Sequence, residues 1–254
     1  MSGVLIMEAK LSSIELWLLV SLFFVLRYLI LAGIPFLVFY VAPGRRLQRT
    51  KIQEKRPSGS QIRREILFSL LSLLIYGMGI WIFLEWIQDG STMHYQNISE
   101  YGLAYAFLSF LLMIFLHDTY FYWTHRLIHH KSLFRIIHKV HHQFTNPTPW
   151  SAFSFHPFEA VLSMGVIPII VFLVPWHQYT LIAFISFMTL YDVYIHLGFD
   201  PVLLRLGSWQ NTASDHNYHH QNARVNFGLY FTFWDQLMGT YKKYHGKGRV
   251  LIKD

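Results

Sequence analysis

Three short histidine clusters carry the chemistry available to this sequence. The first is His125-Arg126-Leu127-Ile128-His129, with His130 adjacent; the second is His138-Lys139-Val140-His141-His142; the third is His216-Asn217-Tyr218-His219-His220. Residues three and four apart share a helix face. His125 and His129 therefore project together, and in each H-x-x-H-H box all three imidazoles can point at one site. Neutral imidazole is the commonest protein metal ligand and suits Fe, Zn, Cu or Ni. Eight convergent imidazoles exceed what one tetrahedral or octahedral ion can take, so the count argues for two metals. The bland alternative is a set of unrelated surface or core histidines, and for any lone histidine it is preferred. It does not account for the same five-residue pattern appearing twice at helical phase in a chain with 15 histidines.

The remaining histidines and nearby acids carry less. His196 closes the last apolar segment and reads either as a ligand or as a partner to one. His117 and His156 flank the clusters and suit hydrogen bonding to ligands, because a metal-bound imidazole needs a partner on its other nitrogen. Asp118, Asp192, Asp215 and Glu159 can serve the same purpose, or can cap helices and form local ion pairs. His94, His177 and His245 read as loop or interfacial residues.

The pattern narrows the chemistry, and the choice of metal then rests on function and analogy. No H-E-x-x-H is present, and a zinc hydrolase needs an open metal position with a carboxylate to handle protons. A haem protein takes axial histidines from within its spans, whereas these sit in tight groups at span ends. A redox metal that activates oxygen beside a membrane can attack an unactivated C–H bond in a lipid just below the headgroups. Iron does this chemistry, and zinc has no accessible redox change. The sequence has no cysteine, which excludes disulfides, thiolate catalysis and cysteine-ligated iron–sulfur clusters within it.

The elements that must hold these residues are membrane spans. Hydrophobic residues make up 53% of the 254 residues and charged residues 14%, against about 25% charged in a soluble domain. The aromatic share of 18% fits rings at both membrane interfaces. Ile14 to Val41 is long enough to cross a hydrocarbon layer of roughly 30 Å and lacks the short core and cleavage site of a signal peptide. Arg27 within it must face protein or snorkel. Gly44 to Arg64 contains Arg45, Arg46, Arg49, Lys51, Lys55, Arg56, Arg63 and Arg64 against the single acid Glu54. The positive-inside rule makes this loop cytoplasmic, which explains the net charge of +7 better than a nucleic-acid face does. Spans at Ile66–Trp86 and from Tyr101 to about His117 follow. The loop between them, Gln88 to Glu100, is expected outside and holds the sequon Asn97-Ile98-Ser99. Phe158–Val174 and Gln178–Ile195 form a hairpin that either crosses and returns or only dips in. Both histidine-rich segments then lie on one face.

The stretch His117 to Arg126 running into the box at His138–His142 resembles the sterol desaturase/fatty acid hydroxylase superfamily. So does the third box with its trailing Asn226-Phe227-Gly228 and Phe233-Trp234-Asp235-Gln236-Leu237-Met238-Gly239-Thr240-Tyr241. Asn146 to Trp150 and Phe155-His156-Pro157 look most like the sterol C-5 desaturases. The resemblance covers about residues 117–241 and implies a non-haem enzyme with two iron ions that uses molecular oxygen on a membrane lipid. It implies His125, His129, His138, His141, His142, His216, His219 and His220 as ligands. His196 is available near the end of the last apolar segment, with Asp200 or water completing the set. Some relatives carry a fused cytochrome-b5-type domain. Here a separate donor is expected, a ferredoxin or cytochrome-b5-type protein with its reductase.

The expected fold is all-α, an integral membrane helical bundle with a cytoplasmic helical cap holding the di-metal site. It is a single membrane domain over 1–254, with spans in 1–116 and the histidine-box region in 117–254. The expected location is the endoplasmic reticulum of a eukaryote or the inner membrane of a bacterium. The expected activity is sterol-type desaturation, with hydroxylation of a fatty acyl or sphingoid chain as the alternative. A non-catalytic histidine-rich metal carrier is the reading from a different class; it would place ligands along a path within the spans.

Overall fold

The computed structural model describes residues 12–244, so His245 lies outside the described residues. Among them the chain is helical, with three isolated β-bridges and no strand. Three helices are long and apolar enough to cross a membrane: α1 (Ser13–Phe36, continued by a wider π-turn at Leu37–Val41), α3 (Gly59–Gln88) and α4 (Gly102–Ile128). Their outward faces are bare hydrocarbon. Leu18, Leu22, Phe23, Leu26 and Ile30 of α1 are each more than half exposed, a contiguous apolar surface that water would not tolerate and lipid would.

Each long helix begins where its sequence can supply a cap. Ser12 accepts the Glu15 amide while Glu15 reaches back to the Ser12 amide, a reciprocal pair at the start of α1. Ser58 accepts the Gln61 amide at 3.1 Å and starts α3 about two turns before the expected Ile66. That added stretch holds Glu65, which is buried and accepts Gln61 Nε2 at 2.8 Å and Thr148 Oγ1 at 2.5 Å. The expected third span ended near His117. Instead α4 continues to Ile128, about 40 Å in all, so it outruns the hydrocarbon layer and carries the first histidine box on the same rod.

Small residues set the spacing inside the bundle. α1 packs on α3 at Ser21 and Gly77, where a Cβ at position 77 would lie 2.1 Å from Ser21 Oγ. Arg27, costly in lipid, turns inward and donates to the Ile185 carbonyl at 3.1 Å.

The hairpin consists of α7 (Pro157–Met164), α8 (Val166–Leu173) and α9 (Gln178–Ile195). Its first arm breaks at Gly165, where a Cβ would meet Tyr120 Oη of α4 at 2.3 Å. Its tip pairs with the loop between α3 and α4: the Trp176 amide donates to the Met93 carbonyl and the Tyr95 amide to the Trp176 carbonyl, both at 3.0 Å. The hairpin therefore reaches the far end of the bundle rather than stopping partway. At the opposite end, short helices α2 (Arg45–Gln48), α5 (Lys131–Ile137), α6 (Lys139–His142), α10 (Ala213–Gln221) and α11 (Phe233–Leu237) gather over the bundle. The basic loop after α1 docks onto them, with the Ile52 amide bonded to the Gly198 carbonyl and the Asp200 amide to the Thr50 carbonyl.

Candidate metal centre

Nine imidazoles converge at this end in two groups. His125, His129, His138, His142 and His219 form one; His141, His196, His216 and His220 form the other; within each group the facing nitrogens lie within 4.8 Å of one another. All but His129 are buried. The chain reaches this arrangement through four elements. α4 delivers His125 and its C-cap His129, α6 with its N-cap His138 delivers the second box, α9 ends on His196, and α10 carries the third box. Thr212 and Asp215 cap α10 reciprocally, fixing its first turn.

The boxes do not each serve one site, as the shared-face argument expected. In each H-x-x-H-H the i and i+4 residues, His138 with His142 and His216 with His220, join one group, and the i+3 residue, His141 or His219, joins the other. The cause is helical geometry. Positions i+3 and i+4 differ by about 100° around the axis, so a helix lying between two sites feeds both.

The nitrogens face one another at close range. In the first group Nε2 separations are 3.1 Å for His125–His138, 3.2 Å for His125–His129, 3.1 Å for His129–His142 and 3.1 Å for His142–His219. In the second they are 3.2 Å for His141–His196, 3.1 Å for His196–His216 and 3.2 Å for His216–His220. The other ring nitrogens show why this is not ordinary hydrogen bonding. His125 Nδ1 donates to the Phe227 carbonyl at 2.8 Å and His219 Nδ1 to the Val225 carbonyl at 2.6 Å, and a carbonyl can only accept. His138 Nδ1 lies 2.6 Å from Glu159 Oε1. With Nδ1 carrying the proton, Nε2 of His125 and of His219 both present lone pairs to the space inside the same group, which repel unless a cation lies between them. Metal–imidazole bonds of about 2.1 Å at near right angles give nitrogen edges of about 3 Å, so the donor set fits metal ions.

Electrostatics point the same way. Burial, and then the neighbouring imidazoles, hold His138, His141, His216, His219 and His220 well below the usual histidine value, and burial takes His142 down to about 3. These side chains are neutral near pH 7, the form that binds metal.

The acids and histidines expected to support the ligands are dispersed. Asp192 does so: His196 Nδ1 donates to its main-chain carbonyl at 2.7 Å, with its carboxylate at 3.3 Å. His117 Nδ1 bonds the Tyr230 hydroxyl at 2.8 Å, Asp118 accepts the Tyr230 and Phe231 amides, and His156 caps α7. Asp200 stands outside both groups, its carboxylate taken by Arg205 and Ser214. Glu159, expected among the supporting acids, also does so through His138, while the Val225 and Phe227 carbonyls are the supports that reading by residue type passed over. The signal for the carbonyls lay in the trailing motif. Asp235 accepts the Phe227 and Gly228 amides at 2.9 and 2.7 Å and Thr240 Oγ1 at 2.7 Å, and Gly239 turns at φ +67°. That clasp aims the Phe227 carbonyl at His125.

Beside the histidines lies a cavity of about 50 Å³, lined by His125 and His138 of one group and His141, His196 and His216 of the other. It adjoins an apolar cavity of about 300 Å³ that runs between α3, α4, α8 and α9. Asn146–Trp150 does not line it. That segment is bolted to α1 and α3: the Trp150 carbonyl accepts Tyr28 Oη and Ser69 Oγ, and the Asn146 carbonyl accepts Gln61 Nε2.

A lipid-facing helical bundle with a polyhistidine centre at one end, opening on an apolar cavity, defines a class of membrane protein. The chain belongs to the fatty acid hydroxylase family, whose profile matches residues 110–240. It is 32% identical over 195 residues to lathosterol oxidase of Homo sapiens, covering 74% of this chain and 65% of that protein. It is 30% identical over 210 residues to Delta(7)-sterol 5(6)-desaturase ERG3B of Gibberella zeae, covering 81% and 62%. The resemblance to the superfamily read from the boxes and the trailing motif, and to its C-5 branch read from Asn146–Trp150 and Phe155–Pro157, is thereby borne out. The chain spans just under two thirds of the length of these curated relatives. No solved structure matches it.

Proposed function

We propose that this protein is an oxygen-dependent, non-haem iron oxidoreductase with two metal ions that introduces a C=C bond into a sterol-like membrane lipid. The observation that carries this reading is the junction of two polyhistidine groups with an apolar cavity bounded by lipid-facing helices. The five-imidazole group would hold one ion and the four-imidazole group the other, and the bound iron would supply the oxygen-dependent removal of hydrogen from an unactivated carbon. The protein's own residues hold the imidazoles neutral and oriented, exclude water from the apolar cavity, and present a lipid C–H bond to the space between the groups. A metal carrier would need ligands along a path through the bundle; these histidines gather at one end. The relatives' names, a sterol oxidase and a sterol desaturase, support the sterol ring over an acyl chain.

Desaturation with oxygen balances only with two electrons and two protons per turnover, giving two waters. A ferredoxin or cytochrome-b5-type donor with its reductase supplies them. Exposed Lys139, Arg224, Lys242 and Lys243, at the histidine end, suit an acidic carrier. The protein is multi-pass, with this end in the cytoplasm. Mass spectrometry of membrane lipids with and without the gene tests the reaction. A sterol lighter by two hydrogens when the gene is present supports it; unchanged sterols with an acyl chain heavier by one oxygen would assign hydroxylation instead.

A further inference from the structure

The apolar cavity is polar at one end only. Apart from glycine and the Trp86 indole, its lining includes four residues with polar side chains: Tyr76, His117, Ser163 and Asp192. His117, Ser163 and Asp192 also line the small cavity between the two histidine groups. Tyr76 and Ser163 satisfy each other at 2.7 Å. That leaves His117 and Asp192. His117 is fixed through Nδ1 by the Tyr230 hydroxyl, whose own amide is held by Asp118 at 2.7 Å, so its Nε2 is the nitrogen left for the cavity. Asp192 gives its main-chain carbonyl to His196 as the closer contact, and its carboxylate side chain keeps 14% of its surface open. The opposite end, at Trp86, Ile167 and Pro168, is apolar apart from the Trp86 indole N–H. A polar group in an apolar pocket is costly unless a ligand meets it.

We propose that His117, with Asp192 beside it, recognises a hydroxyl of the substrate, so that the carbon oxidised lies within a few bonds of that hydroxyl and the apolar tail points toward Trp86 and Pro168. This rests on the cavity being the substrate site. His117 lies roughly 22 Å along α4 from Gly102, near the metal-bearing side of the hydrocarbon layer, where the hydroxyl of a membrane amphiphile sits. Mid-chain carbons of a long acyl chain, far from any polar group, are disfavoured by this arrangement. A ring carbon close to a hydroxyl is favoured.

The test is binding to the full metal-loaded chain in nanodiscs, by competition with a fluorescent lipid, using two matched pairs: 5α-cholestan-3β-ol against 5α-cholestane, and hexadecanol against hexadecane. The wild-type protein should prefer the alcohol of a pair. His117→Phe should weaken alcohol binding by about tenfold, the worth of one lost hydrogen bond, and leave the hydrocarbon unchanged. His117→Gln, which keeps a donor and an acceptor, should retain most of the preference. Equal weakening for alcohol and hydrocarbon, or an alcohol preference that survives His117→Phe, overturns the proposal. A His117-dependent preference seen with hexadecanol while neither steroid binds would uphold it and remove the sterol reading.

Discussion

Each ligand histidine must be neutral, oriented and close to its neighbours, and different atoms of the protein meet each demand. For His125, His138, His196 and His219 orientation comes from the Nδ1 partner. For His138 that partner is the Glu159 carboxylate at 2.6 Å, which also makes the imidazole a better donor. Glu159→Gln should therefore weaken metal retention by about 10–100-fold, read by competition with a chelator; retention equal to wild type would show that Glu159 does not act through His138. His219→Ala removes a member of the five-imidazole group and leaves the other group whole. It should abolish turnover and bring metal content from two ions per chain toward one, by elemental analysis, while the protein still inserts in the membrane. Neutrality has a pH consequence. The folded state holds His142 down to about 3, whereas the unfolded chain protonates its histidines near about 6.5. The unfolded state therefore binds more protons below that value, so the stability is complete above about pH 6.5 and is lost as pH falls toward 3. The metal-free protein should show a lower apparent Tm at pH 5.5 than at pH 7.5; a flat profile would contradict the neutral imidazoles. Much of this was legible from spacing, because three- and four-residue intervals must bring imidazoles together. The allocation between groups was not, since it depends on where the helix axis lies relative to two sites. The Val225 and Phe227 carbonyls were silent for a different reason: a main-chain oxygen has no residue type.

At the scale of elements, rigid rods carry the chemistry and small residues let the rods approach. α1 and α3 meet at Gly77 and Ser21, with no room for a Cβ. Gly77→Leu should destabilise the bundle by about 1–3 kcal/mol through overpacking, seen as a lower Tm in detergent; an unchanged Tm would mean the helices separate freely there. The same contact ties α1 to the site, because Tyr28 of α1 and Ser69 of α3 both hold the Trp150 carbonyl. The segment Asn146–Trp150 thus serves as a bolt between the histidine cap and the membrane helices. Its aromatic composition alone does not separate that role from a wall around the substrate. The apolar runs were readable because lipid demands them. The ends of α3 and α4 were not, since the polar turns that extend them are stabilised by the Ser58 cap and by tertiary partners of Glu65 and Asp118. Hydropathy measures only the stretch in contact with lipid, so it stopped at His117 where the helix runs on to Ile128.

Across the whole molecule the two ends are chemically opposite, and that asymmetry supports the proposed orientation. The loop Gly44 to Arg64 docks on the histidine cap through Ile52–Gly198 and Thr50–Asp200 main-chain bonds, so the basic residues and the candidate metal centre share one end whichever way the protein inserts. The other end joins Met93–Tyr95 to Trp176 and has few basic residues. Lys and Arg favour the cytoplasmic side, so the proposed orientation puts the histidines and the exposed Lys139 and Lys243 there together. Because the sequence has no cysteine, single introduced cysteines report their side directly. Gln96→Cys, at an exposed position on the far loop, should react with an impermeant maleimide applied outside intact cells. Arg56→Cys and Lys243→Cys, exposed on the cap, should react only after the membrane is opened. The reverse labelling pattern would put the basic loop outside and remove the cytoplasmic placement of the centre, while a pattern with all three on one side would remove the spanning arrangement of α3 and α4 altogether.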